Sequence, residues 1–199
     1  MGTGHTLTFW YDFASTYSYL SAMRVEAMAK AHGVQVAWRP FLLGPIFVSQ
    51  GWTTSPFNVY PAKGRYMVRD MQRLAAERGL GFAMPTPFPQ NSLLAARVGT
   101  VGVAEGWVAP FTRAVYDAEF ARGQDISLPD VMARLLGDIG QDAARILALA
   151  QTQPIKDALR ATTEEAQRRD IFGAPTFTVG DELFWGDDRL EQAIEAAAR

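Results

Sequence analysis

The β-patterned segments of this chain lie only at its two ends, and that constrains the fold more than any other feature. Near the start, TLTFWYDF (6–13) is dense in β-branched and aromatic residues and predicts a buried strand. TYSYLSAMRVEAMAKAHG (16–33) places Tyr17, Leu20, Val25 and Met28 in a loosely helical apolar pattern, with Gly33 positioned to stop it. VQVAWRPF (34–41) alternates as a strand does. Strand, helix, strand is the crossover unit that joins parallel neighbours. At the far end APTFTVG (174–180) and DELFWG (181–186) predict two short strands around a tight Gly180-Asp181 turn. DDRLEQAIEAAAR (187–199) predicts a closing helix with Asp187 and Asp188 at its positive end. The two ends have to pair to make one sheet, which leaves the middle of the chain as an insertion.

That middle reads differently. LLGPIFVSQGWTTSPFNVYP (42–61) predicts a loop rich in glycine, proline and aromatics. AKGRYMVRDMQRLAAERG (62–79) is helix-like and ends at Gly79, whereas Pro85, Pro87 and Pro89 forbid a helix over 82–90. NSLLAARVGTVGVAEG (91–106) opens on cap candidates Asn91 and Ser92 and sets Leu94, Val98 and Val101 on one face. Helical patterns follow over 107–123, 128–140, 141–151 and 152–170, the last with Thr152 as cap and Pro154 near its start. The expected division is an α/β unit of residues 1–45 and 170–199 and a loop-and-helix insertion of residues 46–169.

Composition narrows the chemistry. With 199 residues, 48% of them hydrophobic, the chain can bury a full core. A net charge of −2 offers no basic field for nucleic acid. No apolar run approaches the ~18–20 residues of a membrane span, and the N-terminus has no signal pattern, so a soluble cytoplasmic protein is the default expectation. Zero cysteines exclude disulfides, thiol nucleophiles and thiolate ligands together. Only His5 and His32 are available to a metal, which argues against a multi-histidine site. A serine–histidine hydrolase survives that count but lacks a G-x-S-x-G elbow.

The turn YDFASTYSYL (11–20) carries Ser15 and Ser18 at the spacing of a redox cysteine pair. It joins a strand to a helix, where unpaired N–H groups and the helix dipole favour an anion. A cysteine there would be acidic and reactive. A serine is far too weak an acid, yet it can donate a hydrogen bond to a thiolate brought by a ligand. Serines at such turns are ordinarily N-caps, and Ser18 falls in the first helical turn as a structural residue. Lys63 sits at a helix start, a poor place for a cation on dipole grounds.

Three stretches together, DFASTYSYL (12–20), PAKGRYMVRD (61–70) and FGAPTFTVGDELFWGDDRLE (172–191), resemble the 2-hydroxychromene-2-carboxylate isomerase family. Its relatives are the kappa-class glutathione transferases and the DsbA-like proteins. The resemblance runs over nearly the whole chain and implies an α/β thioredoxin-like fold with a large helical insertion. The family turn reads D-x-x-S-P-Y; here Thr16 replaces the proline while Ser15 and Tyr17 remain.

The resemblance also implies glutathione as cofactor and a homodimer. Ser15 would be the catalytic residue, donating to the glutathione thiolate. Thr53 would stand where the family carries an asparagine, and Lys63 would pair with a glutathione carboxylate. Pro175 would be cis and face the turn, leaving the Ala174 backbone to pair with the tripeptide. Asp188 would meet the γ-glutamyl ammonium, and Asp187 would replace a serine in the same corner.

The implied reaction interconverts 2-hydroxychromene-2-carboxylate and trans-o-hydroxybenzylidenepyruvate in aromatic catabolism. A kappa-type transferase shares the thiolate but releases a conjugate. A disulfide oxidoreductase is opposed by the missing cysteines, and a binding module without turnover is the third competitor. Trp10, Phe41, Trp52 and Phe57 belong to a set of aromatics expected in the core, some with a role in an aromatic-substrate pocket. Arg65, Arg69 and Arg73 form either a solvated face or a greeting for an anionic substrate.

Overall fold

The two ends of the chain do meet in one sheet. In the computed structural model, which describes residues 5–199, β1 (Thr6–Tyr11), β2 (Gln35–Pro40), β3 (Thr176–Val179) and β4 (Glu182–Trp185) lie in the order β2-β1-β3-β4. β1 and β2 are parallel, and the remaining pairs are antiparallel. The β1–β3 register sets Phe9 opposite Phe177 and Thr8 opposite Thr178. Because side chains alternate along a strand, this pairing fixes which residues share a face. Phe9 and Phe177 stack on one face with ring centroids 5.2 Å apart. On the other face Trp10 Nε1 donates to Thr178 Oγ1 at 3.0 Å.

The segment expected as one helix over 16–33 is two, α1 (Thr16–Ala22) and α2 (Val25–Ala31). The expected loop over 42–61 contains α3 (Leu43–Ser49) and α4 (Pro56–Val59). In both, proline falls in the first turn, where its missing N–H is no loss. The expected division at residue 45 therefore lands inside α3. Next come α5 (Pro61–Glu77), α6 (Leu93–Glu105) and α7 (Val108–Tyr116), the last running into a π-helical turn at Asp117–Ala121. α8 (Pro129–Asp138), α9 (Ala143–Leu149) and α10 (Gln153–Arg168) complete the middle. A 3₁₀ turn at Asp187–Arg189 leads into α11 (Leu190–Ala197).

The core has two parts, one for each face of the sheet. Leu7, Phe9, Tyr11 and Phe177 bury against Phe111, Val115 and Tyr116 of α7 and Ile194 of α11. Trp10 and Phe41 bury against Ile46 of α3 and Ala166 of α10. Each buried leucine, isoleucine, valine or phenylalanine among them contributes about 1.5–3 kcal/mol on leaving water. Tyr11 and Thr112 share a 2.8 Å hydroxyl–hydroxyl bond that fastens β1 to α7. The helices of the insertion thus complete the sheet's own core.

Candidate active site

The site grows from the turn that follows β1. The Asp12 carboxylate is buried and accepts from the N–H of Ala14 at 2.9 Å and of Leu43 at 2.7 Å, which ties the turn to the start of α3. Burial pushes its pKa up, against the pull of those N–H groups and of the Ser92 hydroxyl. The Asp12 carbonyl accepts from Ser15 N at 2.9 Å and from the Tyr116 hydroxyl at 2.8 Å. The turn is therefore held from three sides before any ligand arrives.

Ser15 is the N-cap of α1 in extended conformation, φ −94° and ψ 115°. Its Oγ accepts from Ser18 N at 3.3 Å and donates to the Ala174 carbonyl at 2.9 Å. One hydroxyl thus joins the positive end of α1 to the residue before Pro175. The Ala174–Pro175 bond is cis. The loop around it is set by Thr176 Oγ1 donating to the Gly173 carbonyl at 2.8 Å and Gly186 N donating to the Pro175 carbonyl at 2.9 Å. Trp185 lies so close over Gly173 that an added Cβ there would sit 2.5 Å from its Nε1. Thr16 and Ser18 are buried in the first turn of α1.

Lys63 is exposed in the first turn of α5. Lys63, Met67 and Asp70 follow the i, i+4, i+7 spacing of one helix face. Met67 is buried in the core, and Asp70 accepts the Tyr17 hydroxyl at 2.8 Å, so Lys63 stands on the side of α5 that faces α1. Burial, then Asp70, pushes the Tyr17 phenol up. Arg65, Arg69 and Arg73 take the exposed side, and Arg69 bonds Gln72 there. Thr53 is exposed in the connection between α3 and α4.

The two acids before α11 have different surroundings. Asp188 is exposed and meets Arg189 at 2.9 Å. Asp187 is only 4% exposed. Its Oδ1 accepts from Ser21 Oγ at 2.9 Å and Arg24 Nη2 at 3.3 Å, and its Oδ2 accepts from Arg78 Nη2 at 2.7 Å. Its side chain, expected among the cofactor contacts, thus reaches Ser21 well down α1 and faces two guanidinium groups. Neither the arginines nor the Tyr17–Asp70 pair stands out in the sequence. The one available signal is that Asp70 shares a helix face with Lys63. Among the described residues, no group of three or more histidines, aspartates and glutamates gathers as a metal site.

The DSBA-like thioredoxin domain model matches residues 6–197. A 2-hydroxychromene-2-carboxylate isomerase of Sphingobium xenophagum is 27% identical over 187 residues, 94% of each chain. Glutathione S-transferase kappa 1 of Homo sapiens is 27% identical, covering 94% of this chain and 88% of its own. A solved structure of 2-hydroxychromene-2-carboxylate isomerase superposes with a TM-score of 0.86 at 26% identity, over 96% of this chain and 93% of that one.

Proposed function

The chain belongs to the DSBA-like thioredoxin domain family, and from that premise we propose that it is a glutathione-dependent isomerase of the 2-hydroxychromene-2-carboxylate type. The observation that carries the reading is the 2.9 Å bond from Ser15 Oγ to the Ala174 carbonyl in a chain without cysteine. The anion-favouring end of α1 and the peptide edge before Pro175 meet at one point, and the sulfur has to come from outside.

The donor set fits glutathione. The Ala174 backbone pairs with its cysteinyl unit as an added strand would. Lys63 meets the glycyl carboxylate, and Thr53, from the connection between α3 and α4, contacts the peptide. Asp188 meets the γ-glutamyl ammonium, and the N–H groups entering α11 take its carboxylate. Asp187 contributes by holding that corner in place, its own charge neutralised by Arg24 and Arg78.

When bound, glutathione supplies the thiolate that adds reversibly to the conjugated double bond of trans-o-hydroxybenzylidenepyruvate, leaving a single bond free to rotate. On binding, the Ser15 hydroxyl would turn its single proton from the Ala174 carbonyl to the sulfur, freeing that carbonyl for the peptide, and with the first N–H groups of α1 would hold the sulfur as an anion near neutral pH. The turn is half-buried, which strengthens each of these contacts relative to open water.

The test compares the wild type with Ser15→Ala by calorimetric titration of glutathione, by the ultraviolet absorbance of bound thiolate, and by isomerisation rate. Loss of one aligned donor should cost about 100-fold in turnover and abolish the thiolate band. An alanine variant that keeps both refutes the role of Ser15. The likeness to a kappa-class transferase supports a second reading, conjugation. Chlorodinitrobenzene turnover with release of a glutathione adduct, in place of isomerisation, would select it.

A further inference from the structure

Tyr17 stands two residues after Ser15, and its phenol donates a 2.8 Å hydrogen bond to Asp70 Oδ2 on α5. Its ring also meets Phe57 of α4 with centroids 6.4 Å apart. Phe57 is pressed in turn onto α5, since a Cβ added at Gly64 would overlap the Phe57 carbonyl. α4 and the first half of α5 therefore form one packed piece, and Tyr17 ties that piece to the mouth of α1. Lys63 lies seven residues before Asp70, almost two full turns, on the same face. At 1.5 Å per residue its backbone stands about 10 Å further along the helix.

We propose that the Tyr17–Asp70 bond is a ruler: it fixes Lys63 one glycine beyond the thiol anchor and makes the site selective for glutathione over shorter γ-glutamyl thiols. This rests on the glutathione reading above. In this arrangement Tyr17 and Asp70 act through Lys63 and are positioning residues. With its cysteinyl sulfur held at the Ser15 turn, glutathione extends its glycyl unit toward Lys63 and its γ-glutamyl arm the other way, toward Asp188. γ-Glutamylcysteine ends one residue, about 3.3 Å, short of it. The charge pair weakens with that gap and with the water that fills it.

The experiment measures calorimetric dissociation constants for glutathione and for γ-glutamylcysteine. It uses the wild type, Tyr17→Phe, Asp70→Asn, Lys63→Met and the Y17F/K63M double variant, each checked for folding by thermal melting. The wild type should prefer glutathione by about tenfold, the worth of one charged contact. Tyr17→Phe keeps the ring on Phe57 and should cut the preference to about twofold, leaving γ-glutamylcysteine affinity unchanged. Asp70→Asn still offers an oxygen to the phenol and should retain most of the preference. Lys63→Met should lose it, and the double variant should lose no more.

The ruler is overturned if Tyr17→Phe keeps the full preference or weakens both thiols alike. If the wild type binds neither thiol, the glutathione reading falls first and the ruler falls with it. Glutathione binding with an unmoved preference sinks the ruler alone.

Discussion

Glu119 lies in the π-helical turn after α7, fully buried, and neither of its carboxylate oxygens has a hydrogen-bond partner among the described residues. Burial pushes its pKa well above the ordinary carboxylate value, and the charges of Asp12 and Asp125 push the same way. Asp12 is also raised, but it keeps the N–H groups of Ala14 and Leu43. The consequence for stability has a definite sign. Below the unfolded value near 4.3 both states hold the Glu119 proton and nothing is lost. Above it the unfolded chain ionises while the folded one does not, so stability falls with rising pH until the folded group titrates. The slope approaches about 1.4 kcal/mol per pH unit for this one group. Glu119→Gln cannot ionise and should lack that part of the slope. Urea unfolding of both proteins at several pH values from 5 to 8 should show a gap that moves steadily in favour of the glutamine variant. A gap that stays constant would mean that Glu119 is charged and compensated in the fold. The acid itself is plain in the sequence. Its isolation is not, because DAEF (117–120) reads as an ordinary helical stretch and only tertiary packing, α1 included, buries it.

Between elements, one carboxylate does for α1, α2, α5 and α11 what the Ser15 hydroxyl does for the turn. Asp187 receives Ser21 from α1, Arg24 from the α1–α2 junction and Arg78 from the end of α5. Arg24 also donates to the Asp187 carbonyl at 2.8 Å and pairs with Glu191 on α11. Asp187→Ala would leave both guanidinium groups without their shared partner. It should cost about 3 kcal/mol, the low end for a buried pair, since both arginines keep some contact with water. For a domain of this size, thermal unfolding should then begin about 6–12 °C lower. Asp188→Ala should behave oppositely, with stability within about 0.5 kcal/mol of wild type and weakened glutathione binding. A large melting loss at Asp188, or none at Asp187, would reverse the roles assigned to the two acids. The same hub shows why some elements escape sequence reading. The β-patterned ends and the long helices announce themselves through local periodicity. The break after Ala22 does not, because the partners that hold Arg24 are residues 187 and 191. α3 is hidden by Gly44 and Pro45, and its first N–H is capped from a distance by Asp12. Ser15, Lys63 and Asp188 enter the proposed site from motif alone, whereas Tyr17–Asp70 and Arg78–Asp187 depend on which helix lies against which.

For the whole molecule, the proposed site sits on a seam. Ser15 and Ala174 belong to the sheet unit formed by the two ends of the chain, and Lys63 belongs to the helices between them. Tyr11–Thr112 and Tyr116–Asp12 already bind these parts into one core. A ligand held from both sides favours the folded state and not the unfolded one. Glutathione at 100 times its dissociation constant should therefore add about 2.7 kcal/mol. That corresponds to a melting shift of about 5–11 °C for a domain of this size. The charge of the bound sulfur gives this shift a pH signature. A free thiol titrates near 8.5. If the end of α1 holds the sulfur as thiolate, binding releases a proton at lower pH, and affinity must rise as pH climbs from about 6 toward that value. S-Methylglutathione keeps both carboxylates and the ammonium but has no proton to release. Its melting shift should be smaller and nearly flat with pH, each shift being taken against ligand-free protein at the same pH so that the Glu119 slope cancels. Parallel curves for the two ligands would show that the protein grips the peptide and leaves the sulfur uncharged, and the thiolate chemistry assigned to the Ser15 turn would then have no physical basis.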